Sequence, residues 1–233
     1  MRLILFDIDG TILLTDGAGR RAIQRALLEE AGAAGPVESH RFDGKTDPQI
    51  VHELLALAGH AAADDQALIA AVCDRYLDLL EDELARPAQV TRLLAGVPEL
   101  LAALAGPEAE RRALVGLLTG NLERGAVLKL RSAGVAPARF AVGAYGSDAG
   151  RRPELPGIAR RRAEAVSGRA ISGHDVVIVG DTPDDVACAR AIGARTVAVA
   201  TGGYDVAALA AVGATHVFAD LADTLAVLDA LLA

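Results

Sequence analysis

The chain has 233 residues, 52% hydrophobic and 23% charged, with 31 acidic against 23 basic side chains for a net charge of −8. That length and apolar content suit one large or two modest domains. The acidic balance argues against a nucleic-acid surface, which needs a basic field, but leaves room for a small phosphorylated partner held by local charge. The longest uncharged runs, such as Val206–Ala219, are too short to cross a bilayer, which takes about 20 residues. Arg2 leads at once into Leu3–Phe6 and Asp7 without the apolar region of a secretory signal. The expectation is a cytoplasmic protein without membrane contact, monomeric or homodimeric. Cys73 and Cys188 each lie in an alanine-rich helical pattern and read as buried free thiols.

In chain order, Leu3–Phe6 is an apolar run with the character of a strand buried on both faces. It runs into Asp7-Ile8-Asp9-Gly10-Thr11. Carboxylates inside such a strand would be costly unless paired or metal-bound, so Asp7 and Asp9 belong at its end. Asp7 then reads as a nucleophile and Asp9 as a partner acid or base. From Asp16-Gly17 the pattern becomes helical, with Ala22, Ile23, Ala26, Leu27 and Ala31 inward. Asp47-Pro48 reads as a helix cap with proline at the first helical position. A longer helix follows from about 64 to 85. No strand alternation occurs between 15 and 87, which predicts an all-helical block.

Strand signals return at Ala113–Leu118, Phe140–Ala144, Val176–Val179, Thr196–Ala200 and His216–Phe218. Helical patterns separate them near 121–133, 156–166, 186–192 and 206–212, and 221–231 closes the chain. This alternation predicts an α/β fold, a Rossmann-like parallel sheet with helices on both faces. Residues 1–14 and 88–233 would form the core and 15–87 an inserted all-helical cap.

Three strands end in small polar residues: Leu3–Phe6 in Asp7, Leu114–Leu118 in Thr119-Gly120-Asn121, and Val176–Val179 in Gly180-Asp181-Thr182-Pro183-Asp184-Asp185. Carboxyl ends of parallel strands open on one crevice, so these clusters should meet. Four carboxylates there (Asp7, Asp9, Asp181 and Asp185) need a cation. Oxygen ligands without nearby His or Cys favour Mg²⁺, and that combination suits phosphoryl transfer. Asn121 could also cap the helix after it, and Thr182 with Asp185 could form a capping box. Arg20, Arg21 and Arg25 read as a solvated helix face, with Arg20 able to turn toward the crevice.

In this order, Asp7–Thr11, Leu118–Asn121, a basic residue and Val179–Asp185 resemble the haloacid dehalogenase-like hydrolase superfamily. The helical insert and Phe42-Asp43-Gly44-Lys45-Thr46-Asp47 are similar to the cap of its phosphoglycolate-phosphatase-like members. The resemblance implies that Asp7 attacks phosphorus and that Asp9 serves as acid, then base. It implies that the Asp9 carbonyl, Asp7 and Asp181 surround Mg²⁺, with Asp185 in support, and that Gly10, Thr11, Thr119, Gly120, Asn121 and Lys45 hold substrate. Members usually carry a lysine as the basic residue. Lys45 and Lys129 are the only lysines and neither falls in that place. Arg152, which precedes Pro153, is favoured over Arg151, and charge neutralisation is within the reach of an arginine.

The implied activity is Mg²⁺-dependent hydrolysis of a small phosphomonoester through an aspartyl-phosphate. Asp9 disfavours dehalogenation, because a halide needs no proton to leave whereas an alkoxide does. The alternatives are a phosphomutase of the β-phosphoglucomutase type, which would need a bisphosphate activator, and a non-enzymatic binding protein on the same fold.

Overall fold

Leu3, Ile4, Leu5 and Phe6 are at most 1% exposed, as a strand covered on both faces requires. They lie in β1 (Arg2–Phe6), at the centre of a computed structural model describing the backbone of residues 1–233 and all side chains but those of residues 107, 108 and 110. A two-residue strand β2 (Leu13–Leu14) leads to three helices: α1 (Ala18–Ala31), α2 (Asp47–Leu57) and α3 (Gln66–Leu84). The chain returns through β3 (Arg92–Leu93), which pairs antiparallel with β2, so exit and re-entry run side by side. Next come α4 (Val97–Leu104), α5 (Pro107–Arg112), β4 (Ala113–Leu118), α6 (Glu123–Ser132), β5 (Val142–Ala144) and α7 (Leu155–Ser167). The chain ends with β6 (Val176–Gly180), α8 (Pro183–Ala191), β7 (Arg195–Val199), α9 (Val206–Ala211), β8 (His216–Phe218) and α10 (Thr224–Leu232).

The main sheet has the order β5-β4-β1-β6-β7-β8, and every pair is parallel. The chain builds from β1 through β4 to β5, then crosses over to lay β6, β7 and β8 on the other side. Beside β1 the order reverses, and at such a switch point the outgoing loops part to leave a crevice. Phe6 is level with Leu117 on β4 and Val179 on β6. The three polar clusters therefore leave the sheet at one height. The α/β architecture with a parallel sheet is the expected one.

Two apolar clusters cover the sheet faces, one around Ile4, Phe6 and Val177, the other around Leu3, Leu5 and Ile178. A third belongs to α1, α2 and α3, built on Ile23, Leu54, Tyr76 and Leu80, and joined by Leu122 from the start of α6. Cys73 and Cys188 are buried and free. Among the described residues no helix is long and apolar enough to cross a membrane.

Local expectations needed correction in three places. The cap of α2 is Thr46, whose side chain accepts from the Gln49 N–H, with Asp47 and Pro48 inside the helix. Asn121 does not cap α6: Leu122 holds that position without a side-chain bond, because the Asn121 amide is engaged elsewhere. The stretch from 88 to 112, unassigned from sequence, contains β3, α4 and α5.

Candidate active site

The ladder of β1 runs one residue past the strand, where the Asp7 N–H donates to Val179 O at 2.9 Å. The chain then turns sharply. Thr11, Ile12 and Leu13 all direct their N–H groups at Ile8 O, and Gly10 sits at φ +80°. A Cβ on Gly10 would also lie 2.3 Å from Asp181 Oδ2, so glycine is required for both conformation and space. This turn aims Asp7 and Asp9 into one cavity of about 320 Å³, which Thr119, Gly120, Asn121, Arg152 and Asp181 also line.

Asp7, Asp181 and Asp185 are buried, each with a carboxylate oxygen within 4.8 Å of the other two. Burial pushes Asp7 up to about 6, with Asp185 and Asp9 adding to the rise and Arg152 opposing it. Asp181 is pushed to about 8 by burial and then by Asp7 and Asp185. Such a set of hard oxygen donors, crowded and short of positive charge, fits a small divalent cation. The surroundings of Asp181 are equally confined: a Cβ on Gly202 would lie 1.7 Å from its Oδ2.

Arg152 precedes α7 and reaches into this cluster, with Nη2 3.1 Å from Asp7 Oδ2 and 2.5 Å from Asp185 Oδ1. Burial works against its charge, yet Asp185 and Asp7 outweigh that and hold the guanidinium protonated. Its buried Nε has no hydrogen-bond partner among the described residues. Arg151 instead points to solvent, paired with Glu154. Asp185 also forms the capping box of α8, its Oδ2 accepting from the Thr182 N–H at 3.1 Å and hydroxyl at 2.6 Å. Both of its oxygens thus have protein partners.

Several residues expected at the substrate sit differently. Thr11 is buried behind the cavity and donates to Asp181 Oδ1 at 3.2 Å. The Gly10 N–H goes to Leu13 O and its carbonyl accepts from Thr201. Both shape the turn and the acid cluster, and neither lines the cavity. Asn121 and Lys45 do line it. The Asn121 amide donates to Asp9 Oδ2 at 2.8 Å and to Thr119 Oγ1 at 2.7 Å, so it holds other site residues. The Lys45 ammonium bonds Glu53 and lies 3.3 Å from His40 Nε2.

Two site residues were missed from sequence. Lys129 on α6 is 5% exposed and bonds both oxygens of Asp9, at 2.9 and 2.7 Å. Its signal was a lysine in the inward row of Ala126 and Leu130. Asp47, buried at the start of α2, donates its N–H to Gly120 O and accepts from the Leu122 N–H at Oδ2, both at 2.8 Å. It ties the helical block to the loop after β4. That block roofs the cavity with Arg20, Ile23, Phe42, Ile50 and Tyr76. Arg20 lies over the Phe42 ring, 4.1 Å from its centroid.

The HAD-hydrolase-like family model matches residues 155–224, from α7 through the second acidic cluster to the last helix. The phosphoglycolate phosphatase of Rhodospirillum rubrum is 29% identical over 238 positions, covering 95% of this chain and 88% of its own. The chain is thus similar to the haloacid dehalogenase-like hydrolases. Two solved structures share the fold. A hydrolase from Pseudomonas syringae aligns over the whole of both chains with a TM-score of 0.75 at 21% identity. CbbY from Rhodobacter sphaeroides, solved in complex with phosphate, aligns over 98% of this chain and 99% of its own, with a TM-score of 0.70 at 22% identity.

Proposed function

We propose that this haloacid dehalogenase-like phosphatase hydrolyses a small phosphomonoester through an aspartyl-phosphate on Asp7, with Mg²⁺ in the acidic cluster. The observation that carries the reading is the placement of Asp7 at the end of β1, 3.1 Å from the Arg152 guanidinium and facing the same cavity as Asp9. An Asp7 oxygen attacks phosphorus. The phosphorus–oxygen bond to the alcohol breaks, its electron pair stays on that oxygen, and Asp9 supplies the proton. Water then attacks phosphorus, giving its proton to Asp9 and freeing Asp7 and orthophosphate. Arg152 offsets charge on the phosphoryl oxygens. The cation, held by Asp7, Asp181 and the Asp9 carbonyl with Asp185 behind, would neutralise charge on the transferring group.

The cavity lies near the small end of ligand sites, so the substrate is a small phosphorylated metabolite. Residues 15–87 act as the cap that closes over it and excludes water. Arg20 on that side has carbonyl acceptors and no carboxylate partner among the described residues, which favours a second anionic group on the substrate. The Rhodospirillum relative makes phosphoglycolate the first ester to assay. Phosphate release from a panel of phosphorylated metabolites identifies the substrate. Asp7→Asn should fold and lose all Mg²⁺-dependent hydrolysis of p-nitrophenyl phosphate, and retained turnover would sink the nucleophile assignment.

A further inference from the structure

We propose that Lys129 is a positioning residue that fixes the Asp9 carboxylate for proton transfer to the leaving group, an inference resting on the acid–base reading of Asp9. Lysine is rarely buried without partners. The Lys129 ammonium has three protons and no acceptor capacity. It lies within bonding distance of Asp9 Oδ1 at 2.9 Å, Asp9 Oδ2 at 2.7 Å and Asn121 Oδ1 at 2.6 Å. Those partners also fix the Asn121 amide. Its oxygen must face the ammonium, which only donates, and its nitrogen must face the Asp9 carboxylate, which accepts. Asn121 is held in turn by Thr119 Oγ1 at 2.7 Å.

The result is a chain of contacts from Thr119 through Asn121 and Lys129 to both oxygens of Asp9. The Asp9 side chain is still 40% exposed on its remaining side, which is where a leaving oxygen would approach. The cap closes over the ammonium: a Cβ on Gly19 of α1 would lie 3.7 Å from both Lys129 Nζ and the Tyr76 hydroxyl.

General acid catalysis needs the donor oxygen within hydrogen-bond reach of the leaving atom. Without Lys129, only the Asn121 amide would restrain the Asp9 side chain.

The leaving group separates this role from a structural one. An alkoxide needs a proton to depart and 2,4-dinitrophenolate does not. With Mg²⁺ present, kcat/KM is measured for 2,4-dinitrophenyl phosphate and for phosphoglycolate or glycerol 3-phosphate, whichever the wild type turns over faster. Lys129→Met should lose at least about tenfold more on the alkyl ester than on the aryl ester, and Lys129→Arg should recover part of that difference. If Lys129→Met fails to fold, Lys129→Gln keeps hydrogen bonding without charge and reads the same ratio. Equal losses on both esters, or none, overturn the proposal while leaving the phosphatase reading intact. A wild type that releases phosphate from neither ester overturns both.

Discussion

Arg152 Nη2 lies 3.1 Å from Asp7 Oδ2, with side chains only 4% and 7% exposed. Both are too deep for water to compensate either charge, so each depends on the other. Arg152→Met leaves Asp7 and Asp185 without their buried cation. Breaking such a pair costs about 3–5 kcal/mol, and the Asp7 carboxyl, already raised to about 6, should rise further. The expected outcome is a thermal midpoint several degrees lower and turnover down by at least about 10³-fold. Both contacts come from the single nitrogen Nη2; Arg152→Lys restores the charge on a differently shaped side chain, and should recover stability better than rate. Melting curves and phosphate release on the same preparations check both.

That pairing shows what was legible from sequence. Asp7, Thr119 and Asp181 could be placed together because apolar runs ending in small polar residues mark the carboxyl ends of parallel strands. The basic partner was harder, and Pro153 pointed to Arg152. Lys129 was not legible in its role, since nothing in the sequence says that α6 lies beside the loop after β1. Thr46 displaced Asp47 as the cap of α2 because its side-chain oxygen reaches Gln49, which frees Asp47 to bond Leu122 across the cavity rim. That distinction depends on where α2 docks. The β2–β3 ribbon, two residues a side, is too short to carry any pattern. By contrast, Val97, Leu100, Leu101 and Leu104 do have helical spacing, and α4 was there to be read.

Metal binding should release protons. Burial with neighbouring carboxylates raises Asp181 to about 8 and Asp7 to about 6, so at neutral pH the cluster retains a proton, chiefly on Asp181, that a divalent cation must displace. Apparent Mg²⁺ affinity should therefore rise from pH 6 to pH 8, by up to about tenfold per unit for each proton released. Titration calorimetry in buffers of different ionisation enthalpy counts those protons. Excess EDTA should abolish turnover, and Mg²⁺ should raise the thermal midpoint of the wild type but not of Asp181→Asn. Affinity independent of pH would contradict the assignment.

Asp47 makes a stability prediction of the opposite kind from a surface salt bridge. Burial, opposed by Lys129 and the Leu122 N–H, raises its carboxyl from 3.8 to about 6. A carboxyl raised on folding favours the fold in its neutral form. Its contribution is fully present below the unfolded value near 4 and is lost as pH rises through about 6. Two pH units correspond to about 3 kcal/mol. Asp47→Asn keeps an acceptor for Leu122 but cannot titrate. The stability of Asp47→Asn relative to wild type should therefore be greater at pH 7.5 than at pH 4.5. Denaturant melts of the pair across that range measure the difference, which cancels the other acids.

At Gly120 the helical block abuts the loop after β4. A Cβ there would lie 1.9 Å from Lys45 O and 3.0 Å from the Thr46 Cα, both backbone atoms that no rotamer change can clear. The same seam carries the Asp47 N–H to Gly120 O bond and the Leu122 N–H to Asp47 Oδ2 bond. Gly120→Ala must therefore push residues 45–47 off the loop after β4, stretching both bonds and opening the cavity to water. Overpacking of this kind costs about 1–3 kcal/mol, and closure would suffer more than folding. The variant should stay folded, with kcat/KM for an alkyl ester down at least about tenfold and KM raised. Amide exchange at Asp47 and Leu122 should quicken while that of β1 and β6 stays slow. Wild-type kinetics in Gly120→Ala would show that this contact is not needed for the closed state.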